Sequence, residues 1–293
     1  MIGRRFLIGG TACALGGMAL APAAQAEDGF ARLPAAFARI EAARGGRLGV
    51  AVLDTGSGRR AAHRGEERVP MCSTFKLLLA AAILARADAG KERLDRRIRY
   101  TRQQLITYSP VTEPHAGGEG MTLEALCEGT MILSDNTAAN LLLDVLGGPA
   151  ALTAWLRGLG DTVTRLDRIE PALNEFRQGD PRDTTTPQAM LATMGKLTLG
   201  DALSPASRAK LVGWLRGNRT GDARLKARLP AGWAAGEKTG TAGRTSNDIG
   251  LFWPPGGAAP ILVTAYLVEG AAEGATRDAA LADVGAAIAA AYA

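Results

Sequence analysis

The chain has 293 residues, of which 47% are hydrophobic and 22% are charged, and its formal net charge at pH 7 is +5. This length can bury one large core or two modest ones, and the composition is ordinary for a soluble globular protein. The positive excess is too small to indicate a nucleic-acid-binding protein. No apolar run of about 18 residues lies beyond the N-terminal segment, so we expect no membrane anchor.

The first 26 residues have the features of a targeting signal. They begin with a basic pair, Arg4-Arg5, continue through a weakly apolar stretch and end in the small residues Ala24-Gln25-Ala26. This pattern predicts cleavage after Ala26 and export to the bacterial periplasm. The pair Arg4-Arg5, followed by Phe6-Leu7, favours the twin-arginine route, and an ordinary secretory signal is the alternative. Cleavage would lower the net charge from +5 to +3.

The remaining chain alternates between strand-like ends and a helical middle. It opens with a predicted helix at 30–44, a strand at 47–54 and a returning strand at 59–69. An irregular, charged segment covers 161–186, which is a length typical of functional loops. Helices are predicted at 73–88, 122–133, 136–146, 149–158, 187–199 and 205–216. Three strands and a last helix follow, at 233–240, 247–255, 260–269 and 276–292.

Strands at both ends of a chain with helices between them predict an α+β fold, here an α/β sandwich. The short connections between the late strands favour antiparallel pairing, so we expect a five-stranded antiparallel sheet flanked by the terminal helices. The expected sheet domain comprises 27–66 and 217–293. An all-helical domain, 67–216, is expected as an insertion, with the active site between the two.

The apolar helix at 73–88 begins with an unusual pair of polar residues. Ser73 and Lys76 are three residues apart and therefore lie on one helix face. A lysine in a dry pocket has a lowered pKa and can take a proton from serine, while free N–H groups at the helix start can stabilise an oxyanion. The alternative is a helix-capping serine beside a lysine whose stem covers apolar surface.

A serine three residues before a lysine is a common pattern, and the chain contains a second example. Ser207 and Lys210 lie at a polar helix start, and we interpret them as a capping serine and a surface lysine. The chain has only two histidines, His63 and His115, in no metal-like spacing. We therefore expect no metal and no cofactor, and a Ser-His-Asp triad is weakly supported.

Three further motifs accompany Ser73 and Lys76. Ser134-Asp135-Asn136 lies in a break between two helices, Glu170–Asn174 (EPALN) lies inside the irregular loop, and Lys238–Gly240 (KTG) ends a predicted strand. The ordered set is much rarer than any one member. It resembles the class A serine β-lactamases, and the resemblance extends over about residues 28–293.

The resemblance implies a role for each motif residue. Ser73 would be the acylated nucleophile, with Lys76 assisting its deprotonation. Ser134 would pass a proton to the leaving ring nitrogen. Glu170 and Asn174 would hold the water that hydrolyses the acyl-enzyme. Backbone N–H groups of Ser73 and Thr241 would form the oxyanion hole. The substrate-binding residues that the resemblance implies are Asn136, Asn174, Lys238, Thr239, Gly240, Thr241, Arg224 and Tyr108.

The resemblance also implies structural details. The Glu170-Pro171 bond is expected to be cis, and Arg168 and Asp183 are expected to close the loop with a salt bridge. Family members with a disulfide place partner cysteines at positions that are Ala242 and Ala80 here. We therefore predict that Cys72 and Cys127 are free, buried thiols.

The expected function is hydrolysis of the β-lactam amide bond, which confers resistance to β-lactam antibiotics. The expected partner is a small-molecule β-lactam, with no nucleic acid, and the expected assembly is a monomer. Two alternatives share the serine chemistry: a penicillin-binding D,D-carboxypeptidase or transpeptidase, and a β-lactam sensor that does not turn over. The Glu170 loop argues against the first, and the intact motif residues argue against the second.

Overall fold

A computed structural model describes residues 1–2 and 29–292. The predicted targeting signal and its cleavage after Ala26 lie almost entirely outside the described residues. The strands are β1 (Arg47–Asp54), β2 (Arg60–His63), β3 (Val69–Pro70), β4 (Arg97–Ile98), β5 (Met121–Thr122), β6 (Thr184–Thr185), β7 (Ala234–Ala242), β8 (Thr245–Trp253) and β9 (Ile261–Val268). The α-helices are α1 (Leu33–Arg44), α2 (Phe75–Asp88), α3 (Leu123–Ile132), α4 (Asn136–Leu146), α5 (Pro149–Gly158), α6 (Pro187–Thr198), α7 (Pro205–Arg216) and α8 (Gly274–Tyr292).

Five of the strands form one antiparallel sheet, in the order β2-β1-β9-β8-β7. The two ends of the chain meet in its middle, where β1 pairs with β9 along its whole length. Every residue of β9 is buried, because helices cover both faces of the sheet. The α+β fold and the five-stranded antiparallel sheet predicted from the sequence are confirmed.

The terminal helices cover the outer face of the sheet. α1 and α8 pack on each other and on the strands, around a cluster that includes Phe37, Val50, Val263 and Ile288. A proline in the first turn starts α1, and Gly45, in a positive-φ conformation, ends it. The helices that contact the strands from the other side are α6, on β1 and β9, and α7, on β7.

The other helices cover the inner face, with α2 at their centre. Every residue of α2 from Phe75 to Leu84 is buried, and the helix contacts α3, α4, α5 and α7. A helix that is apolar all round is stable only when it is enclosed in this way. Lys76 is therefore carried into the interior by the helix, since ten consecutive positions around it have no access to solvent.

Three details differ from the sequence-based expectations. The predicted returning strand ends at His63, and Val69–Pro70 pairs instead with Thr184–Thr185 of the irregular loop. A short pairing of β4 with β5 was not predicted. The expectation that Ser207 caps a helix is wrong: Ser204 caps α7 and Ser207 donates to Asp88 Oδ1 at 2.7 Å.

In the described part of the chain, no single helix is both long and apolar enough to cross a membrane. α4 and α5 reach that length and apolarity only as a pair, and they are bent by 68° at the break between them.

Candidate active site

One cavity of about 310 Å³ lies beside the β7 edge of the sheet, against the start of α2 and the irregular loop. Its lining residues are Ser73, Tyr108, Ser134, Asn136, Glu170, Asn174, Thr220, Thr239, Gly240 and Thr241. All of these except Thr220 were predicted from the sequence. The structure thus brings together residues that are far apart in the sequence: Ser73 and Thr241 are 168 positions apart.

The turn that carries Ser73 is held tightly against strand β7. Ser73 lies in a 3₁₀ turn, Cys72–Thr74, directly before α2. The buried Asn247 side chain donates to the Pro70 and Met71 carbonyls at 2.9 and 3.1 Å. A Cβ on Gly240 would lie 2.8 Å from Met71 O and 3.2 Å from the Ser73 nitrogen. Only glycine therefore lets the strand come this close to the Ser73 backbone.

The Lys76 ammonium lies among acceptors from three residues of the site. Its Nζ donates to Ser134 O at 2.8 Å and to Asn136 Oδ1 at 2.6 Å, and it lies 3.3 Å from Glu170 Oε1. Burial lowers the pKa of Lys76, and the Glu170 carboxylate opposes that shift. A buried lysine with a lowered pKa can accept and return a proton during a reaction.

Glu170 receives the Ser73 hydroxyl and is held by two asparagines. Ser73 Oγ donates to Glu170 Oε1 at 3.4 Å. Asn174 Nδ2 donates to Glu170 Oε2 at 2.6 Å, and the Asn140 side chain bonds both the backbone N–H and the carbonyl of Glu170, at 3.0 and 2.9 Å. The carboxylate is therefore fixed within reach of the Ser73 hydroxyl.

A buried ion pair closes the loop that carries Glu170. Arg168 Nε donates to Asp183 Oδ2 at 2.6 Å, and Asp183 is almost fully buried. Asp183 Oδ1 also accepts the backbone N–H groups of Asp167 and Arg168, at 2.8 and 2.9 Å. The expected Arg168–Asp183 salt bridge is thus confirmed, and the Glu170-Pro171 bond is cis as expected.

Ser134 lies between two buried lysines. Its Oγ accepts from Lys238 Nζ at 3.1 Å and lies 3.4 Å from Lys76 Nζ. Burial, together with the positive charge of Lys76, lowers the pKa of Lys238 well below its usual range. A serine hydroxyl in this position is connected to two groups that can exchange protons with it.

The break between α3 and α4 is fixed by Asp135. Its carboxylate caps α4 by accepting from Ala138 N at 2.7 Å, and it also accepts the N–H groups of Val111 and Thr112. This joins the loop that carries the exposed Tyr108 ring to the Ser134 turn. Tyr108 and Ser134 both have a positive φ, at 66° and 61°, a conformation that costs about 1–3 kcal/mol for a non-glycine residue and that persists where the surroundings impose it.

Comparison with known proteins identifies the family. Residues 32–292 match the model of a family described as the β-lactamase enzyme family. The chain is 52% identical to β-lactamase L2 of Stenotrophomonas maltophilia over 250 residues, which are 85% of this chain and 82% of that protein. The chain belongs to the class A serine β-lactamases.

Solved class A structures share this fold. An ancestral Gram-negative β-lactamase (GNCA) is 64% identical with a TM-score of 0.85, and the match covers 87% of this chain and 98% of that one. A class A β-lactamase described as PenP from Rhodopseudomonas palustris is 57% identical with a TM-score of 0.86, covering 88% and 99%. A carbapenem-hydrolysing β-lactamase KPC from Klebsiella oxytoca is 49% identical over 78% of each chain.

Three residues expected at the site of this β-lactamase lie behind the cavity rather than on its surface. Lys76 and Lys238 are fully buried and reach the cavity through Ser134 and Glu170. Arg224 is buried beneath β7, where it pairs with Asp278 at 2.8 Å and donates to Thr241 Oγ1 at 2.7 Å. Its guanidinium therefore contacts Thr241 and does not itself line the cavity.

Sequence reasoning missed three supporting residues. Asn140 follows Asn136 by one helical turn, so helical spacing could have placed both on one face. Asn247 lies opposite Gly240 in the β7–β8 pairing, which only the register reveals. Thr220 lies between α7 and β7, and no motif marks it.

Both cysteines of the described chain are free and buried, as predicted. Burial raises the pKa of the Cys72 thiol to about 12, and it raises that of Cys127 as well. Neither thiol is a nucleophile at neutral pH, although Cys72 adjoins Ser73.

Two buried carboxyl groups lie on neighbouring strands, Glu237 on β7 next to Lys238 and Asp248 on β8. Glu237 and Asp248 lie within hydrogen-bond reach of each other, and burial raises the pKa of both. Lys226 Nζ lies 3.2 Å from Glu237 Oε1, and Leu225 N donates to Asp248 Oδ2 at 3.2 Å. Glu237 Oε2 and Asp248 Oδ1 have no donor among the described residues. A proton shared between the two carboxyls would supply the missing donor.

This pair predicts a specific dependence of stability on pH. In the unfolded chain both carboxyls titrate near about pH 4, whereas the folded protein keeps a proton to higher pH. The pair's contribution is thus complete below about pH 4 and declines as the pH rises through the raised pKa.

We expect Glu237→Gln to lessen that decline, because glutamine cannot ionise and its amide can donate to Asp248. Denaturant titrations from about pH 5 to about pH 9 should show the variant gaining stability relative to wild type as the pH rises. Glu128→Gln, which removes an exposed carboxyl, should show the same dependence of stability on pH as wild type. Parallel profiles for Glu237→Gln and wild type would refute the shared proton.

Proposed function

We propose that this β-lactamase acts through an acyl-enzyme on Ser73. The Ser73 Oγ attacks the lactam carbonyl carbon, and its proton passes to Glu170 or Lys76. Ser73 Oγ and Lys76 Nζ lie 3.4 and 3.3 Å from the same carboxylate oxygen, Glu170 Oε1. The lactam C–N bond then breaks. The proton required by the departing nitrogen comes from Ser134, which the adjacent lysines replenish. The 3.4 Å contact of Ser73 with Glu170 is the observation that carries this proposal.

The carbonyl oxygen would accept from the backbone N–H groups of Ser73 and Thr241. The close approach of β7 to the Ser73 turn supports this, since a Cβ on Gly240, the residue before Thr241, would lie only 3.2 Å from the Ser73 nitrogen. Fixed donors of this type stabilise the charge that develops on oxygen and are worth about 10²–10³ in rate.

Deacylation would use a water held by Glu170 and Asn174. The Asn174 amide is oriented by its Nδ2 bond to Glu170, so its Oδ1 remains an acceptor. That oxygen is buried and has no donor among the described residues. A water that donates to Asn174 Oδ1 and to Glu170 would satisfy it, with Glu170 as the general base.

The substrate would bind along β7. Lys238, Thr239 and Thr241 supply positive charge and hydroxyl donors for the carboxylate that β-lactams carry, with Arg224 supporting Thr241. Asn136 would bond the substrate's side-chain amide, and the exposed Tyr108 ring would form an apolar wall.

Hydrolysis of the chromogenic cephalosporin nitrocefin tests the proposal. We expect repeated turnover by the wild type and none above background by Ser73→Ala. A single burst followed by a stall would instead support a penicillin-binding transpeptidase or a sensor. Ser207→Ala, which alters the other serine in the same spacing with lysine, should retain full turnover.

The cellular context is also proposed. Export is typical of class A β-lactamases, and we propose a periplasmic enzyme that leaves the cytoplasm by the twin-arginine route and acts as a monomer without a membrane anchor. We further propose the domain limits 27–66 with 217–293, and 67–216. The outer cluster supports them, since all its buried members lie in the first pair of segments.

A further inference from the structure

Two threonines of β7, Thr239 and Thr241, line the cavity, and the hydroxyl of each contacts a different neighbouring residue. Arg224 Nη2 donates to Thr241 Oγ1 at 2.7 Å. Because a guanidinium can only donate, the proton of the Thr241 hydroxyl remains free for an acceptor in the cavity. Thr239 Oγ1 instead lies 2.5 Å from Thr220 Oγ1, and either hydroxyl can be the donor.

The buried Asn218 amide determines what Thr220 can do. Asn218 Nδ2 donates to Met131 O at 3.1 Å, and its Oδ1 accepts from Thr220 N at 2.8 Å. A carbonyl can only accept and a backbone N–H can only donate, so the orientation of this amide is fixed. Asn218 Oδ1 also lies 3.1 Å from Thr220 Oγ1 and is a second acceptor for that hydroxyl.

The hydrogen-bonded series of Thr239, Thr220 and Asn218 therefore has two arrangements. In the inward one, Thr239 donates to Thr220 and Thr220 donates to Asn218. In the outward one, Thr220 donates to Thr239, and Thr239 donates into the cavity. A carboxylate is an acceptor only, and hydrogen bonds to it are about twice as strong as neutral ones, so a bound carboxylate selects the outward arrangement. Asn218 Oδ1 loses little, because it keeps its bond from Thr220 N.

We propose that Thr220 is a positioning residue for the substrate carboxylate: its hydroxyl donates to Thr239 and so turns the Thr239 proton into the cavity. This rests on the proposed binding of the carboxylate along β7. Consecutive hydroxyl bonds polarise one another, which makes Thr239 a better donor in the outward arrangement. Thr220 thus donates to the Thr239 hydroxyl in the same way that Arg224 donates to the Thr241 hydroxyl.

The test compares a substrate with and without the negative charge. The rates of hydrolysis of nitrocefin and of its carboxylate methyl ester are measured for wild type, Thr220→Val and Thr220→Ser. The valine keeps the shape of the side chain without the hydroxyl, and the serine keeps the hydroxyl. We expect Thr220→Val to lower kcat/KM for nitrocefin by about 3–10-fold, mainly through KM, because one neutral hydrogen bond is lost. Its kcat/KM for the ester should stay within about twofold of wild type, and Thr220→Ser should resemble wild type with both.

Several outcomes would overturn the inference. An equal loss with nitrocefin and the ester would mean that Thr220 only packs against β7. An unchanged or improved kcat/KM for nitrocefin would mean that Thr239 donates without Thr220. Thr220→Ala carries the same expectation if the valine variant does not fold. Failure of the proposed function is distinguishable, since wild-type enzyme would then not turn over nitrocefin at all.

Discussion

Replacing Glu170 with alanine is expected to stop the enzyme after its first reaction with substrate. Ser73 and Lys76 remain, so the acyl-enzyme still forms, but the general base for its hydrolysis is gone. Such a base contributes about 10²–10⁴ in rate, or about 3–5 kcal/mol of transition-state stabilisation. Steady-state kcat should fall by that factor, and intact-mass spectrometry should show one substrate mass added to the protein.

Glu175→Ala is the matched control, since it removes a carboxylate from the same loop. The Glu175 side chain is largely exposed and lies 3.6 Å from Arg168, away from the cavity lining. Its kcat should remain within about twofold of wild type. Wild-type turnover in Glu170→Ala would remove this residue from the mechanism.

Breaking the Arg168–Asp183 pair should have the largest effect on stability. Asp183→Ala leaves the Arg168 guanidinium without its 2.6 Å partner and two backbone N–H groups without their acceptor. Removal of one member of a buried ion pair costs about 3–5 kcal/mol. We expect that loss in the free energy of unfolding measured with urea.

The comparison variant for this prediction is again Glu175→Ala, which removes the exposed partner of the same arginine. A surface ion pair at 3.6 Å contributes little, so its unfolding free energy should change by less than about 1 kcal/mol. Equal losses in the two variants would show that burial of Asp183 does not matter.

Much of the fold followed from apolar runs and start signals rather than from periodicity, since β9 is buried at every residue and α2 at ten consecutive residues. Helices α4, α5 and α7 begin and end where predicted, since Asp135, Pro149 and Ser204 give clear start signals. The short β3–β6 pairing was missed because two-residue strands have no period, and it depends on how the irregular loop returns to Val69.

The site could be predicted to the level of its motifs but not of its supports. The motifs identified Ser73, Lys76 and Glu170, and the structure places Ser73 Oγ and Lys76 Nζ 3.4 and 3.3 Å from Glu170 Oε1. The residues that orient them are determined by contacts between distant segments. Asn247 and Thr220 belong to this group, and no local pattern specifies which backbone carbonyl or hydroxyl each will meet.

The central claim is that one cavity performs both acylation at Ser73 and hydrolysis by Glu170. Peptide mapping of the trapped Glu170→Ala adduct tests it most directly. We predict one substrate mass on the peptide that contains Ser73 and none on any peptide of the Ser73→Ala, Glu170→Ala double variant. An adduct on another residue, or turnover by the double variant, would contradict the claim.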